Sequence, residues 1–284
     1  MLIFEQALSE RPPAPRAKKS PASELKKPFI SEPEQRGITR LCIQAAQLIM
    51  QHGAESALVD SITERLGLAL GLDSVDLGIT ANSLALTTVS NDHCITTIRR
   101  VVDKGINMHV VTEVQRIMLR VEKGDLDAHQ TRELLQAVKP LRYPKWQVSI
   151  MVGLSCACFA YFMGADLASC ALTSVASCVA MSVRQFLAQH HFNPLVNFAI
   201  TAFVATSIAC LGVNSPLFQK PELAMAASVL LLIPGFPLIN GLSDMVKGHV
   251  NTGLARWTIA MLLIMSSSVG IVLALILWRV KIWI

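Results

Sequence analysis

PGFPLINGLSDMVKGHVNTGLAR, residues 234–256, follows an apolar run from Leu223 to Ile233 that would otherwise read as an unbroken membrane helix. Pro234 and Pro237 sit where that helix should continue, with Gly235 between them. Each proline removes a backbone donor and its ring clashes with the preceding turn, so the spacing predicts a kink or an unwound stretch. Bare backbone at membrane depth survives only where protein buries it or where it lines a wet cavity. Asn240, Asp244, Lys247 and Arg256 follow, punctuated by Gly241, Gly248 and Gly253. A broken apolar helix running into a polar, glycine-rich stretch points to a transport site. A proline-kinked helix ending in an ordinary loop fits the same residues.

Of 284 residues, 52% are hydrophobic and 16% charged, and the mean hydropathy is +0.47. That apolar excess is a membrane-protein composition. The net charge of +5 is uneven, because 19 of the 25 Lys and Arg residues precede Trp146 and six follow it. The chain therefore divides near Tyr143-Pro144-Lys145-Trp146. The expectation is an α-helical polytopic membrane protein of about five transmembrane helices with an N-terminal cytoplasmic α+β domain. In residues, that is a disordered basic arm over 1–35, the α+β domain over 36–145 and the membrane domain over 146–284. The arm has little to bury and either stays solvated or touches anionic headgroups.

Met1–Phe4 is apolar, but Glu5 ends the run far short of a signal-peptide core, which predicts a cytoplasmic amino terminus. Seven cysteines with no C-x-x-C suggest neither a disulfide framework nor a zinc site. They read as packing residues.

From Gly37, apolar residues Ile38, Leu41, Cys42, Ala45, Leu48 and Ile49 recur at helical spacing, with Gly53 placed to end that helix. A second helix carries Leu58, Ile62, Leu66 and Ala69 on one face. Alternation over Val75–Ile79 and Leu84–Ser90 predicts strands, and Asn91-Asp92 a tight hairpin into Cys94–Val102. Two helices close the domain, the second opening at Asp127 with Gln130 three residues on, a capping-box pattern. Glu55 stands near a helix start, where the dipole favours a carboxylate. His52, His93 and His109 lack metal-ligand spacing. The phosphate-loop, dinucleotide-fold, zinc-protease and nucleophile-elbow patterns are all absent; the missing phosphate loop argues against ATP-driven pumping, and the domain's own activity is not legible in these residues. No cofactor, metal or nucleic acid is expected.

The membrane half predicts spans over Gln147–Met163, Leu167–Leu187, Leu195–Leu211, Leu223–Leu242 and Leu254–Trp278, with Gly164-Ala165-Asp166 turning between the first two. The basic amino-terminal region orients the chain, placing Arg184, Lys247, Arg256 and an Asp244–Gly253 loop inside. Arg279 and Lys281 dissent, falling outside. The second span is striped with Ser169, Thr173, Ser174, Ser177 and Ser182, which suits close helix packing. By these boundaries no Asp, Glu, Lys or Arg is mid-span, so any intramembrane site relies on hydroxyls, Asn197, Asn240 and backbone near Pro234. Freed N–H groups suit a small zwitterion or carboxylate.

The order Pro-Gly-x-Pro, Asn-Gly, Asp, then Gly-x-x-x-x-Gly-x-x-Arg resembles the threonine/serine exporter family. It is similar to the short branch in which a cytoplasmic domain precedes only the first membrane half. The Gly-Ala-Glu stretch ending at Glu55 shares the likeness, which covers about residues 36–280. The resemblance implies an inner-membrane secondary transporter subunit exporting threonine, serine or a small dicarboxylate such as succinate. Pro234, Gly235, Pro237, Asn240, Gly241, Asp244 and Arg256 would form the substrate or ion path. Asp244 would be the coupling carboxylate, with Arg256 its partner or an anion-binding group. Gly248, Gly253, Ser177 and Arg184 would serve helix packing or gating, and Glu55 would act in the cytoplasmic domain. Full-length members carry a second membrane half, so a separate small membrane protein is the expected partner, with self-association the competing arrangement. The rival class is a membrane-anchored binding or assembly protein whose α+β domain does the work. Neither solute, coupling ion nor stoichiometry is legible in these residues.

Overall fold

The computed structural model describes residues 30–213, 215 and 217–280. The expected basic arm up to residue 29 and the carboxyl end from Lys281 lie outside the described residues. The amino-terminal unit opens with α1 (Glu32–Gln51). Glu34 accepts a hydrogen bond from Ser31 N at 2.9 Å, which caps the helix at its start. The helix therefore begins inside the stretch assigned above to the arm, and residues 32–35 are helical rather than disordered.

After α1 come α2 (Ser56–Ala69), β1 (Ser74–Ile79), β2 (Ser83–Ser90), β3 (His93–Arg100), α3 (Met108–Glu122) and α4 (Ala128–Ala137). The strands form an antiparallel meander in the order β1-β2-β3. Asn91 and Asp92 have φ of +48° and +62°, the conformation of a two-residue primed turn. On β2 the residues Leu84, Leu86, Thr88 and Ser90 are buried in alternation, so one sheet face packs on α1. Asp127 accepts from Gln130 N at 2.8 Å, which completes the expected cap of α4. The buried face of α2 is Val59, Ile62, Thr63 and Leu66; Leu58 is only partly buried and Ala69 is exposed. One apolar cluster from Ile38 to Leu135 unites these elements. Cys42 lies wholly within it, and burial pushes its thiol up to about 12, so it packs rather than reacts.

The second half holds α5 (Lys145–Phe162), α6 (Leu167–Gln189), α7 (Pro194–Cys210), α8 (Pro221–Ser228), a 3₁₀ turn (Leu230–Leu232), α9 (Gly235–Val246) and α10 (Val250–Leu277). Asp166 caps α6, accepting from Ser169 N at 3.1 Å, and Gly164 turns with φ of +85°. Among the described residues, α6 and α10 are each long and apolar enough to cross a membrane, and α8 with α9 makes a third, bent by 56°. Five spans were expected, so two or three meet that standard. The shortfall is α7, which has 17 residues, and α5, whose first turn carries Lys145 and Gln147.

Helix α6 packs against α5, α7 and α8, and α10 against α7 and α9. Small residues make these contacts. Ala160, Ala176, Ala180, Ala202, Ala205 and Ala209 are completely buried. A methyl group on Gly153 would lie 2.7 Å from the Ser174 carbonyl, and one on Gly270 would overlap the Ala199 carbonyl. Close backbone approach and dispersion hold such helices together where lipid offers no hydrophobic drive.

Candidate functional site

The break in the membrane half has a definite local cause. A residue before proline is pushed out of the α region, and Ile233 is extended, with φ −68° and ψ 117°. Pro234 then forms an inverse γ-turn in which Gly235 N donates to Ile233 O at 2.8 Å. Pro237 is the third residue of α9, where no intrahelical acceptor is required, so its missing donor costs little. Pro234 thus ends one helix segment, and Pro237 is accommodated in the first turn of the next.

The carbonyls freed at the end of the first segment find partners on α6. Ser177 Oγ donates to Ser228 O at 3.3 Å, and Arg184 Nη1 donates to Leu231 O at 3.3 Å. Seven residues apart, these side chains share one helix face. The Arg184 guanidinium also stacks 4.6 Å from the Phe198 ring centre.

Beyond the break, α9 is amphipathic. Phe236, Ile239, Leu242 and Val246 are exposed apolar residues. Asn240, Ser243, Asp244 and Lys247 form the opposite stripe, and that stripe grips the turn between α1 and α2. The turn itself is built by Gly53, whose φ of +89° permits the left-handed helix end. Asn240 Nδ2 donates to Gly53 O at 2.8 Å. Arg256 Nη2 donates to Ala54 O at 3.0 Å. Ser243 Oγ donates to Glu55 at 2.8 Å and Lys247 Nζ pairs with Glu55 at 2.5 Å. Ser56 N and Oγ donate to Asp244 at 2.7 and 3.0 Å. Thr252 Oγ1 adds a bond to Ile79 O at 3.3 Å.

Asp244 is wholly buried and pairs with Arg256 Nη1 at 2.8 Å. A buried carboxylate needs both a counter-ion and hydrogen-bond donors. Asp244 takes the first from α10 and the second from the start of α2, where the helix dipole adds favourable potential. The side chain of Glu55, the residue preceding α2, makes no capping bond to the helix start, so Asp244 caps α2 from another part of the chain. Hydrogen bonds from Lys247 and then Ser243 hold the Glu55 carboxyl below its usual 4.5.

Several sequence expectations change in position. Asp244–Gly253 is not a loop: α9 runs to Val246 and α10 begins at Val250, leaving a three-residue turn. Gly248 occupies that turn with φ of +94°, and a methyl group there would meet nothing within 4 Å, so it serves the turn rather than helix packing. Gly241 lies at the crossing of α9 and α10: a methyl on Gly253 would sit 2.6 Å from the Gly241 carbonyl. Asn240, Asp244 and Arg256 face the amino-terminal unit, and Pro234, Gly235 and Pro237 stay at the break. Ser56, Ser243 and Lys247 were not assigned roles from the sequence. The polar stripe Asn240, Ser243–Asp244, Lys247 at helical spacing was the available signal. Among the described residues, no group of His, Cys, Asp or Glu is placed to hold a metal.

Discontinuous membrane helices of this kind recur in transporter folds. The model of the threonine/serine exporter family matches residues 40–278, and the chain belongs to that family. It is a transport protein, not an enzyme. The chain is 52% identical over 252 residues to "Probable succinate transporter subunit YjjP" of Escherichia coli K12, covering 88% of this chain and 98% of that one. A protein of the same name from Klebsiella aerogenes is 51% identical over 251 residues, covering 88% and 97%. "Probable threonine/serine exporter" of Mycobacterium tuberculosis is 23% identical over 250 residues, covering 87% of this chain and 47% of that protein. No solved structure matches.

Proposed function

We propose that this chain is one subunit of a secondary transporter in the bacterial inner membrane that exports small polar metabolites. A small dicarboxylate such as succinate takes precedence over threonine or serine. The relatives named for succinate align over nearly their whole length, whereas the threonine/serine exporter is matched over less than half of its own.

The observation that carries the mechanism is the clamp. Four consecutive residues, Gly53, Ala54, Glu55 and Ser56, are all bonded to α9 or α10. Movement of α9 about the break therefore pulls on the amino-terminal unit, and movement of that unit pulls on α9. In alternating access, α9 swings against α8 while the clamp keeps it in register with the cytoplasmic side. Asp244 and Arg256 act as the gate that holds this corner closed, and separation of the pair releases it.

In this arrangement the amino terminus is cytoplasmic, α5 and α7 serve as short spans within a five-span bundle, and the carboxyl terminus is periplasmic. Reporter fusions at Ile284 returning a cytoplasmic signal would refute that count. Both relatives named for succinate are called subunits, and a separately encoded partner of about four or five spans supplies the second half of the transporter. The test is succinate and threonine flux in proteoliposomes holding this chain alone, the candidate partner alone, or both. Flux is expected only from the pair. Robust flux by this chain alone would remove the partner, and none from any combination would remove the transporter reading.

A further inference from the structure

Among the described residues, Arg184 is a cation without a counter-ion: no carboxylate there lies within ion-pair distance of its guanidinium. It lies five residues before the end of α6 at Gln189, which places it about 7.5 Å inside the helix at 1.5 Å per residue. Its side chain turns inward to Leu231 O instead of reaching along α6 towards the interface. A charge in that position normally pairs or faces a cavity.

Here there is a cavity. It has a volume of about 230 Å³ and is lined by Ser155, Cys156, Met181, Arg184, Leu230 and Leu231 among others. That is smaller than the roughly 300–1,000 Å³ of pockets for drug-sized ligands, and suits a solute of a few carbons. The guanidinium offers five donors in a planar fork, of which one direct bond, to Leu231 O, is made. That contact and the Phe198 ring fix the fork's direction while leaving donors free for a planar acceptor. The walls are otherwise apolar apart from Ser155, so they suit a hydrocarbon stem. The 3₁₀ turn that ends just before Ile233 supplies Leu230 and Leu231 to the lining, which sets the cavity beside the break.

We propose that Arg184 binds the carboxylate of the transported solute in this cavity, beside the break in the discontinuous helix. The site deepens the transport reading, on which it rests for the identity of the solute. It assigns the break of the discontinuous helix and the anion to one place: any displacement of the 3₁₀ turn would move the Leu231 carbonyl that orients the guanidinium, so solute affinity and helix position are linked. A phosphate headgroup of an anionic lipid shares the chemistry and is a separate outcome of the test.

The experiment places a thiol in the cavity wall, as Ser155→Cys in a Cys156→Ala background of the full chain, co-purified with its partner where one exists. The rate of maleimide labelling at position 155 is read by mass spectrometry with succinate, with succinate dimethyl ester and with phosphatidylglycerol. Succinate is expected to slow labelling in a saturable way and the uncharged ester to leave it unchanged. Arg184→Gln should weaken protection roughly ten- to a hundredfold, the range one charge-assisted contact controls, with the unprotected labelling rate retained as the check on folding. Arg184→Lys keeps the charge without the fork and should give intermediate protection. Equal labelling with and without succinate, undiminished protection in Arg184→Gln, or protection by the lipid alone would each overturn the site. Flux without protection removes this site and leaves the transporter standing; protection without flux does the reverse.

Discussion

Asp244 on α9 and Arg256 on α10 share an ion pair of 2.8 Å, and the Asp244 side chain has no solvent exposure. The same carboxylate caps α2 through Ser56, 188 residues away in the chain. One side chain therefore joins the broken helix, the following helix and the amino-terminal unit. Its removal should be felt in all three.

Replacing Arg256 with Gln leaves the Asp244 charge buried and short of its counter-ion, a change expected to cost about 3–5 kcal/mol. Asp244→Asn alone costs less, because an amide oxygen still accepts from Ser56. The two substitutions should be non-additive by roughly 0.5–3 kcal/mol, as for any contacting pair. Unfolding of the detergent-purified single and double variants measures this directly, and strict additivity would show that the pair carries no coupling.

The two prolines should separate in effect. Pro234→Ala removes the steric block that extends Ile233, so α8 and α9 should straighten and flux should fall while membrane insertion is unchanged. Pro237→Ala lies in a helix first turn and should transport within about twofold of wild type, since proline there replaces no intrahelical bond. Spin-label distances between positions 227 and 246 report the bend. An unaltered distance in Pro234→Ala would assign the break to tertiary packing instead.

Glu55 gives the clamp a pH dependence of known sign. Its folded carboxyl lies below the usual 4.5 because Lys247 and Ser243 donate to it. The contribution is therefore fully present above pH 4.5 and is lost as pH falls through the lower folded value. The distance between spin labels attached at Glu64→Cys and Asn251→Cys, both exposed positions on either side of the clamp, reports its opening. It should lengthen below pH 4.5, and Glu55→Gln should flatten that profile. A profile identical in Glu55→Gln would assign the titration elsewhere.

Gly253 and Gly248 should respond differently to alanine. At Gly253 the added methyl falls 2.6 Å from the Gly241 carbonyl and 2.8 Å from Met245 N, both backbone atoms. Overpacking of this kind costs about 1–3 kcal/mol and should push α9 from α10, lowering both Tm and flux. At Gly248 there is space but φ is +94°, so Gly248→Ala should cost about 1 kcal/mol through backbone strain with flux preserved. Thermal unfolding and proteoliposome assays of the two variants distinguish these outcomes.

The sequence by itself determined the elements whose cause is local. The periodicity of α1 and α3, the Asn91-Asp92 turn, the Asp127–Gln130 cap and the break at Pro234 all follow from side chains within a few residues of one another. The start of α1 was missed because Ser31 and Glu34 form their cap inside a stretch whose composition reads as disordered. Hydropathy marks where apolar residues lie but not where a helix must stop, and α7 stops at 17 residues. The pairing of Asp244 with Arg256 was a possibility that local spacing left open. What only the tertiary structure decided is where the polar stripe of α9 points. Burial of a carboxylate is tolerable only with donors and a cation already in place, and those come from Ser56 and Arg256 on two other elements. No local rule connects Gly53–Ser56 to Asn240–Lys247, because folding of the whole chain brings them into contact.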